Sequence, residues 1–561
     1  MRLNGAQLIM RMLERQGIEI VPGIPGGANL PLYDAFARSG IRHILTRHEQ
    51  GAGFIAQGMA RSTGKTAVCF GTSGPGATNL VTAIADAHLD SVPLVAITGQ
   101  VPLPMIGTDA FQEIDMYGLT IPITKHNYLV RSAAELLEII PEAFRIAASG
   151  RPGPVVVDVP KDVQLQTLDV DRLPEPSRAD PPPALAESDI RRMADLIRAS
   201  ERPVLYIGGG ALSPEAATQV QAFMEAQDAP AACSLMGLGA IPTGHPLYLG
   251  MVGMHGAPFT NLFVNECDLL IAVGTRFGDR ATGRIAEFCP DAQVIHIDID
   301  PSEHGKLRKP ACAITASAAD AMAALNRAVA PRRRPDWRAR LAELKARHPL
   351  ETPGCDDPAR PYGIIALTAA MFDEPPIVCT DVGQHQMWTA QTYPLSHPRQ
   401  FLTSGGLGTM GFGLPAALGA SLANPERTVV CFSGDGSIMM NIQELATAAE
   451  TGANVKVIVM NNGALGLVRQ QQQLFYGGRY FASQFSRRPD LVAIARGFGV
   501  TAYDLGQSQD PVETLARALS QPGPCLINAP VPQSDNVYPM VPPGAGNTRM
   551  IRGDKHATVT H

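Results

Sequence analysis

Apolar residues along this chain fall into two recurring patterns. Unbroken apolar runs that end in or near glycine, such as those within Ala67–Gly76, Pro93–Thr98, Pro203–Gly208, Arg427–Ser433 and Val455–Met460, alternate with stretches of helical spacing such as Ile442–Glu450. Short continuous runs predict strands buried on both faces, and the helical stretches between them predict crossovers. A strand–helix–strand unit of this kind is parallel and right-handed in nearly every case. The expected fold class is α/β, built of doubly wound parallel sheets covered by helices.

Two stretches interrupt the alternation. Pro176–Glu187 carries three successive prolines, and Pro331–Pro361 mixes arginines, prolines and an exposed-looking helix. They divide the chain near 1–175, 188–330 and 360–535, leaving a tail over 536–561 as a candidate cover for an active site. The outer two pieces echo one another. Ala67–Gly76 and Val429–Gly436 both pass from a strand through a glycine turn into a helix, and each is followed by a second strand, Pro93–Thr98 or Val455–Met460. That repetition suits two related domains facing each other across a ligand.

Composition narrows the function classes. At 561 residues the chain exceeds a single core. A formal charge of −6 with no concentrated basic stripe argues against nucleic acid as a partner. The one tight basic run, Arg332–Arg334 between Pro331 and Pro335, reads as a solvated spacer. Nine cysteines occur singly, which disfavours a disulfide framework and a zinc site. Met1–Arg15 reads as an amphipathic helix interrupted by charge rather than a signal peptide, and no apolar run reaches the roughly 18 residues of a membrane span. A soluble, cytoplasmic protein is expected.

The candidate chemistry lies where two strands end. Gly434-Asp435-Gly436 closes one and Asn461-Asn462 closes the next. If those strands pair, Asp435 and Asn462 emerge at one sheet edge with freed glycine N–H groups and a helix N-terminus. Mg²⁺ takes such hard oxygens and leaves positions for phosphate, whose charge the helix terminus attracts. Two other glycine patterns are rejected. Gly58–Thr66 resembles a P-loop but has five residues between its glycines and follows a helix. Gly406-Leu407-Gly408-Thr409-Met410-Gly411 has dinucleotide spacing without the acidic residue expected further on, so it reads as a cofactor-contacting turn of another kind.

Gly-Asp-Gly followed by Asn-Asn resembles the fingerprint of thiamin-diphosphate (ThDP) enzymes, whose cofactor carries the chemistry while the protein positions and polarises it. Such an enzyme needs a glutamate against the pyrimidine ring of ThDP to help its C2 carbon lose a proton. Glu49, where a strand passes into a helix at Arg47–Ala52, is the candidate. The pyrimidine end must meet a partner domain, and a second subunit is the expected source.

Over nearly its whole length the chain resembles the acetolactate synthase (acetohydroxyacid synthase) catalytic subunit. The likeness is carried by Gly23–Gly27, Arg47–Gly51, Thr72–Asn79, Gly107–Glu113, Ser149–Val155, Val159–Asp162, Leu235–Gly239, Gly253–Gly256, Arg276–Arg280, Asp381–His385, Ser404–Gly413 and Tyr538–Gly544. It implies a ThDP pyrimidine domain, a central FAD-type domain and a diphosphate domain, with ThDP, Mg²⁺ and FAD as cofactors. Pyruvate would be decarboxylated and joined to a second 2-oxoacid, giving 2-acetolactate or 2-aceto-2-hydroxybutyrate, as in branched-chain amino-acid biosynthesis. The alternatives are a related ThDP enzyme with another acceptor, and a flavin-dependent pyruvate oxidase. A homodimer or homotetramer with the site at the subunit interface is implied, together with a possible small regulatory subunit.

The same resemblance implies residue roles. Glu49, Gln112, Lys161 and Arg280 would be catalytic, Arg280 reading the carboxylate of the second 2-oxoacid. Asp435, Asn462 and the Ala464 carbonyl would bind Mg²⁺, while Gly383, Gln384, His385, Gly408, Gly436 and Ser437 would hold the diphosphate. Met410 would support the bent cofactor from below. FAD would contact Arg151, Gly208, Gly209, Gly210, Met236, His255, Gly274, Arg276 and Asp298, and Phe111, Met254 and Gln471 would line the substrate pocket. Two departures stand out. Ala313–Ser317 replaces a Gly-Asp pair usual near the FAD adenine, and Gln471 replaces a tryptophan linked to 2-oxobutyrate preference and herbicide binding. The second predicts weak 2-oxobutyrate preference and reduced herbicide sensitivity.

Overall fold

A computed structural model of the chain describes residues 1–553. Among these residues, three six-stranded sheets follow one another, each wholly parallel, and a short antiparallel pair, Arg2–Asn4 with Thr167–Asp169, ties down the N-terminus. The first sheet runs Arg42–Leu45, Ile20–Gly23, Ala67–Gly71, Leu94–Gln100, Pro154–Pro160, His126–Leu129. The third runs Phe401–Leu402, Ile377–Thr380, Val429–Gly434, Val455–Asn461, Cys525–Pro530, Thr501–Asp504. Counting strands from the first of each unit, both have the order 2-1-3-4-6-5. The echoed segments of the sequence are thus the third and fourth strands of two sheets with one topology.

The middle sheet is wound differently. Its strands Tyr248–Met251, Ala231–Cys233, Pro203–Ile207, Leu269–Val273, Gln293–Asp298 and Cys312–Thr315 give the order 3-2-1-4-5-6, that of dinucleotide-binding folds. In all three sheets the apolar runs are buried on both faces. Lys456, inside the strand Val455–Asn461, shows how a charge is tolerated there: its stem is buried and its ammonium reaches the carbonyl of Gly523 at 2.6 Å.

The first and third units meet through two helices, Glu49–Thr63 and Gly413–Ala423. Each brings a glycine to the other's backbone. A Cβ at Gly58 would lie 1.9 Å from the Ala416 carbonyl oxygen, and one at Gly419 would lie 1.8 Å from that of Ile55. This close approach fixes Glu49, at the head of its helix, relative to the third sheet.

Three sequence readings are corrected. The N-terminal helix begins only at Gly5, because Asn4 caps it by accepting from the Gln7 N–H at 2.9 Å, and the residues before it form a strand. The helix expected over Ile442–Glu450 spans Glu444–Thr451 and is preceded by a separate turn of helix, Asp435–Ile438. The arginine run is only partly solvated: Arg333 stays exposed, whereas Arg334 is buried. Arg334 is 3% exposed and donates to the carbonyls of Ile197, Ser200 and Gln227, while Arg333 pairs with Asp228 at 3.0 Å. Free helix-end carbonyls supply acceptors that a local reading cannot see. The following helix, Pro335–Arg347, stacks Trp337 on Phe263 at 3.9 Å and joins the middle core.

Of the nine cysteines, Cys355 is exposed and the other eight are buried free thiols. Among the described residues no helix is long and apolar enough to cross a membrane, and no group of three His, Cys, Asp or Glu side chains is placed to hold a metal. Residues 554–561 of the expected tail lie outside the described residues.

Candidate functional site

The strands Val429–Gly434 and Val455–Asn461 pair in parallel with Gly434 opposite Met460, so Asp435 and Asn462 leave the sheet side by side. Together with the end of Ile377–Thr380 they form its carboxyl edge, at the point where strand order reverses. Open α/β sheets bind ligands there. Asp435 is 5% exposed, and burial pushes its carboxyl up to about 6, with backbone N–H groups at Asn462 and Gly463 pulling it back. A buried carboxylate beside the side-chain amide oxygen of Asn462 is the kind of oxygen donor set a hard divalent cation takes.

Neighbouring groups fit a diphosphate. His385 is buried, held neutral by burial that lowers it to about 3, and its Nε2 has no hydrogen-bond partner among the described residues. It lies against Gly434, where a Cβ would come within 2.9 Å of the imidazole Nδ1. Ser437 donates to the Val382 carbonyl at 2.8 Å, binding the Asp435–Ile438 turn to the Asp381–Gly383 loop. Gln384 links the edge together: its Oε1 accepts from Asn462 at 3.1 Å and its Nε2 donates to Gln470 at 3.0 Å. Gln470 in turn exchanges two hydrogen bonds with the Val537 backbone, drawing the tail over this edge.

A cavity of about 820 Å³ opens between the middle sheet and this region. At its floor Gly208, Gly209 and Gly210 follow the first strand of the middle sheet and Gly274 follows the fourth. The two turns touch: the Gly210 N–H donates to the Gly274 carbonyl at 3.1 Å, and a Cβ at Gly208 would sit 2.0 Å from that oxygen. Arg151, Met236, Arg276 and Asp298 line the same space, and Ser317 stands at its edge while capping the helix Ala318–Ala328. Asp298 is pushed up to about 6 by burial. A glycine cradle at the switch point of this strand order, flanked by cations and an acid, fits an extended dinucleotide such as FAD. Met254, His255, Arg280, Gly408 and Gln471 continue the wall toward the tail, where Met540 and Pro543 complete it.

His255 is 6% exposed and its Nδ1 donates to the Pro539 carbonyl at 3.0 Å, pinning the tail. Burial lowers it to about 4 from the ordinary 6.5. Because the folded value is depressed, the contribution is present above about pH 6.5 and is lost as pH falls toward 4. The expected loss is about 3 kcal/mol. Urea unfolding at pH 7 and pH 4.5 should show a smaller acid penalty in His255→Gln than in the wild type.

Glu49 heads its helix, 8% exposed, with Oε2 accepting from Asn79 at 2.9 Å. The Thr72–Gly76 turn lies against it: a Cβ at Gly76 would be 3.2 Å from Glu49 Oε1, and one at Gly74 would touch the backbone of Gln112. Glu49, that turn and Gln112 therefore form one cluster at the carboxyl edge of the first sheet. Met410 is half-buried between Gly408 and Gly411. Phe111 is 87% exposed, and neither it nor Lys161, at the start of the short helix Lys161–Leu165, lines the cavity. Arg280 does, with its side chain 71% exposed and paired to Asp279 at 3.4 Å. The single chain thus gathers the residues expected to meet Mg²⁺, diphosphate and flavin, and leaves Phe111 and Lys161 apart from them.

Some functional neighbours have no local signature. Buried Glu444 accepts from the N–H groups of Arg47 and His48 at 3.0 and 3.1 Å and so aims the Glu49 helix. Asp381 does stand in a motif, Asp381–His385, but its partner does not follow from it: fully buried, it accepts from the Gly411 N–H at 2.8 Å and ties the Asp381–Gly383 loop to the Ser404–Gly411 turn. Gln470 is masked in sequence by the glutamine run around it.

Comparison with known proteins agrees with this geometry. Residues 3–119, 190–325 and 381–529 match the N-terminal TPP binding, central and C-terminal TPP binding domains of thiamine pyrophosphate enzymes. The chain is 56% identical over 551 residues to the acetolactate synthase isozyme 1 large subunit of Escherichia coli (strain K12), covering 98% of both chains. It is 46% identical to the isozyme 2 large subunit of the same organism, covering 98% of this chain and 99% of that one. To the acetolactate synthase large subunit of Pyropia yezoensis it is 44% identical over 98% of this chain and 95% of the relative. With three cofactor-type domains matched in order and full-length relatives well above the level at which fold and family coincide, the chain belongs to the acetolactate synthase large-subunit family of thiamine pyrophosphate enzymes.

Proposed function

We propose that this chain is the catalytic subunit of a cytoplasmic acetolactate synthase that decarboxylates pyruvate and joins the two-carbon unit to a second 2-oxoacid. The observation that carries the reading is the emergence of Asp435 and Asn462 at one sheet edge, beside the unpartnered His385 Nε2. Bound there, ThDP supplies a carbon nucleophile that accepts the 2-oxoacid and allows loss of CO₂. Asp435, Asn462 and the Ala464 carbonyl hold Mg²⁺, and Gly383, Gln384, His385, Gly408, Gly436 and Ser437 hold the diphosphate. Met410, between Gly408 and Gly411, would pack against the bound cofactor. Glu49 holds a proton at the pyrimidine ring, and Arg280 orients the acceptor carboxylate with its planar fork.

In this reading Glu49, Phe111, Gln112 and Lys161 act on the cofactor of a second subunit. Exposed apolar side chains on both outer units, among them Phe111, Ile121, Met440 and Phe481, are suited to that contact. The relatives' designation as large subunits supports a small regulatory partner. FAD occupies the Gly208–Gly210 cavity without taking part in net electron transfer. The test is purified protein with ThDP, Mg²⁺ and FAD given pyruvate. Acetolactate is the expected product; CO₂ release without it, or reduction of an external electron acceptor, would overturn the reading.

Gln471 lies on the helix Gly466–Phe475, exposed at the cavity mouth near Leu467 and Met254. A flexible amide gives little apolar surface to a substrate's extra methylene, and an indole there would supply it. Gln471→Trp is expected to raise the 2-aceto-2-hydroxybutyrate to acetolactate ratio about tenfold in competition, within the range one methylene can produce. Product analysis with equal pyruvate and 2-oxobutyrate reads this directly.

A further inference from the structure

At the wall of the cavity, where Arg61 and Asp90 line it, lies a buried charge cluster with no assigned part in the reaction. Arg61, near the end of its helix, faces Asp86 in the helix Pro75–Leu89 and Asp90 at that helix's C-cap. Both carboxylates are 0% exposed and the guanidinium side chain is 6% exposed. Arg61 Nη2 bridges Asp86 at 3.0 Å and Asp90 at 2.9 Å, its Nη1 donates to the Thr403 carbonyl at 3.0 Å, and its plane lies 5.0 Å from the Phe412 ring. One cation cannot balance two carboxylates, and a buried charge persists only when its remaining lone pairs are satisfied.

The satisfying donors come from a single segment of the third unit. Asp86 Oδ1 accepts from the Ser404 hydroxyl and, at 3.0 Å, from that of Thr409. Asp90 accepts from the backbone N–H groups of Gly405 at 3.0 Å and Gly406 at 2.7 Å. The Thr409 N–H closes the turn on Ser404 Oγ at 2.9 Å. Every carboxylate oxygen is therefore used, and the two aspartates hold the turn at four of its polar groups.

That turn is a wall shared by both cofactor regions. A Cβ at Gly405 would strike Met236 Sδ, and one at Gly406 would lie 3.2 Å from Arg276 Nη2, so this end faces the flavin-type cavity. The other end runs through Gly408 and Met410 to Gly411, whose N–H is held by Asp381 beneath the diphosphate edge. We propose that Asp86 and Asp90, sharing Arg61, are positioning residues that hold the Ser404–Gly411 turn ready for both ThDP and FAD before either binds. This rests on the assignment of the two cofactor sites above. Pre-ordering a binding loop raises affinity because less ordering remains to be done on binding.

Asp90→Asn tests it while leaving the Arg61–Asp86 pair balanced in charge; Ser404→Ala tests it from the other side. Equilibrium constants for ThDP with Mg²⁺ and for FAD are measured separately, by tryptophan fluorescence and flavin fluorescence, without substrate. Each variant is expected to weaken both cofactors about tenfold, the scale of one hydrogen bond to a charged group. The turnover number at saturating cofactor should fall by less than the affinities. Unchanged constants, or a change in only one of the two, with wild-type binding normal, would overturn the positioning role alone. A wild-type protein that binds no FAD would overturn the cavity assignment and the proposal with it.

Discussion

Glu49→Gln is expected to lower acetolactate formation by about 10² to 10⁴-fold, the usual range for removing a positioned proton-transfer group. ThDP affinity and far-ultraviolet circular dichroism should stay near wild-type values. The amide keeps the size and the acceptor oxygen that Asn79 engages, so the helix head and the Thr72–Gly76 turn stay in place. What it cannot do is hold a transferable proton or carry charge at the pyrimidine ring. The separation of binding from turnover is therefore the diagnostic result. A stopped-flow or steady-state assay with saturating cofactors, paired with a cofactor titration, reads both. Turnover within threefold of wild type would remove Glu49 from the proposed role.

Asp435→Asn should act in the opposite way, on binding before chemistry. Breaking one side of a buried charge pair commonly costs several kcal/mol, so ThDP affinity in the presence of Mg²⁺ should fall about 100-fold or more. The cofactor-free protein should be no less stable, because the variant removes a buried carboxylate that the empty site leaves without a cation. Calorimetric titration at two Mg²⁺ concentrations measures the first effect, and urea unfolding without cofactor measures the second. A variant that lost affinity and stability together would indicate that Asp435 holds the turn rather than the metal.

How much of this could be read from the chain depended on how far apart the interacting groups lie in sequence. The parallel fold followed from continuous apolar runs and the crossover rule, and the meeting of Asp435 and Asn462 at one sheet edge from turns at the ends of two strands. The equal strand order of the outer units was visible as a faint repetition around Ala67–Gly76 and Val429–Gly436. Partners about 100 to 400 positions apart gave no such signal. Arg334 looked solvent-bound because the carbonyls that receive it belong to Ile197, Ser200 and Gln227. Asp86 and Asp90 drew no reading at all, since the turn they hold begins at Ser404, more than 300 positions on. Glu444 was equally silent, for its partners are the backbone N–H groups at Arg47 and His48.

The register between Val429–Gly434 and Val455–Asn461 has a consequence for how such sites vary. Asp435 and Asn462 meet because Gly434 sits opposite Met460, whatever path the chain takes between them. The intervening helix Glu444–Thr451 is fixed at its head, where Glu444 meets the Glu49 helix, but the chain beyond its end can vary without moving either residue. Residues inserted in the loop at Gly452–Asn454 leave Asp435 and Asn462 where they are, whereas one residue added inside either strand moves one of them by a full pleat and turns it to the other face. A search for related sites that fixes the gap between the two motifs will discard proteins that differ only in the bridge. One that fixes the distance of each motif from its own strand will keep them.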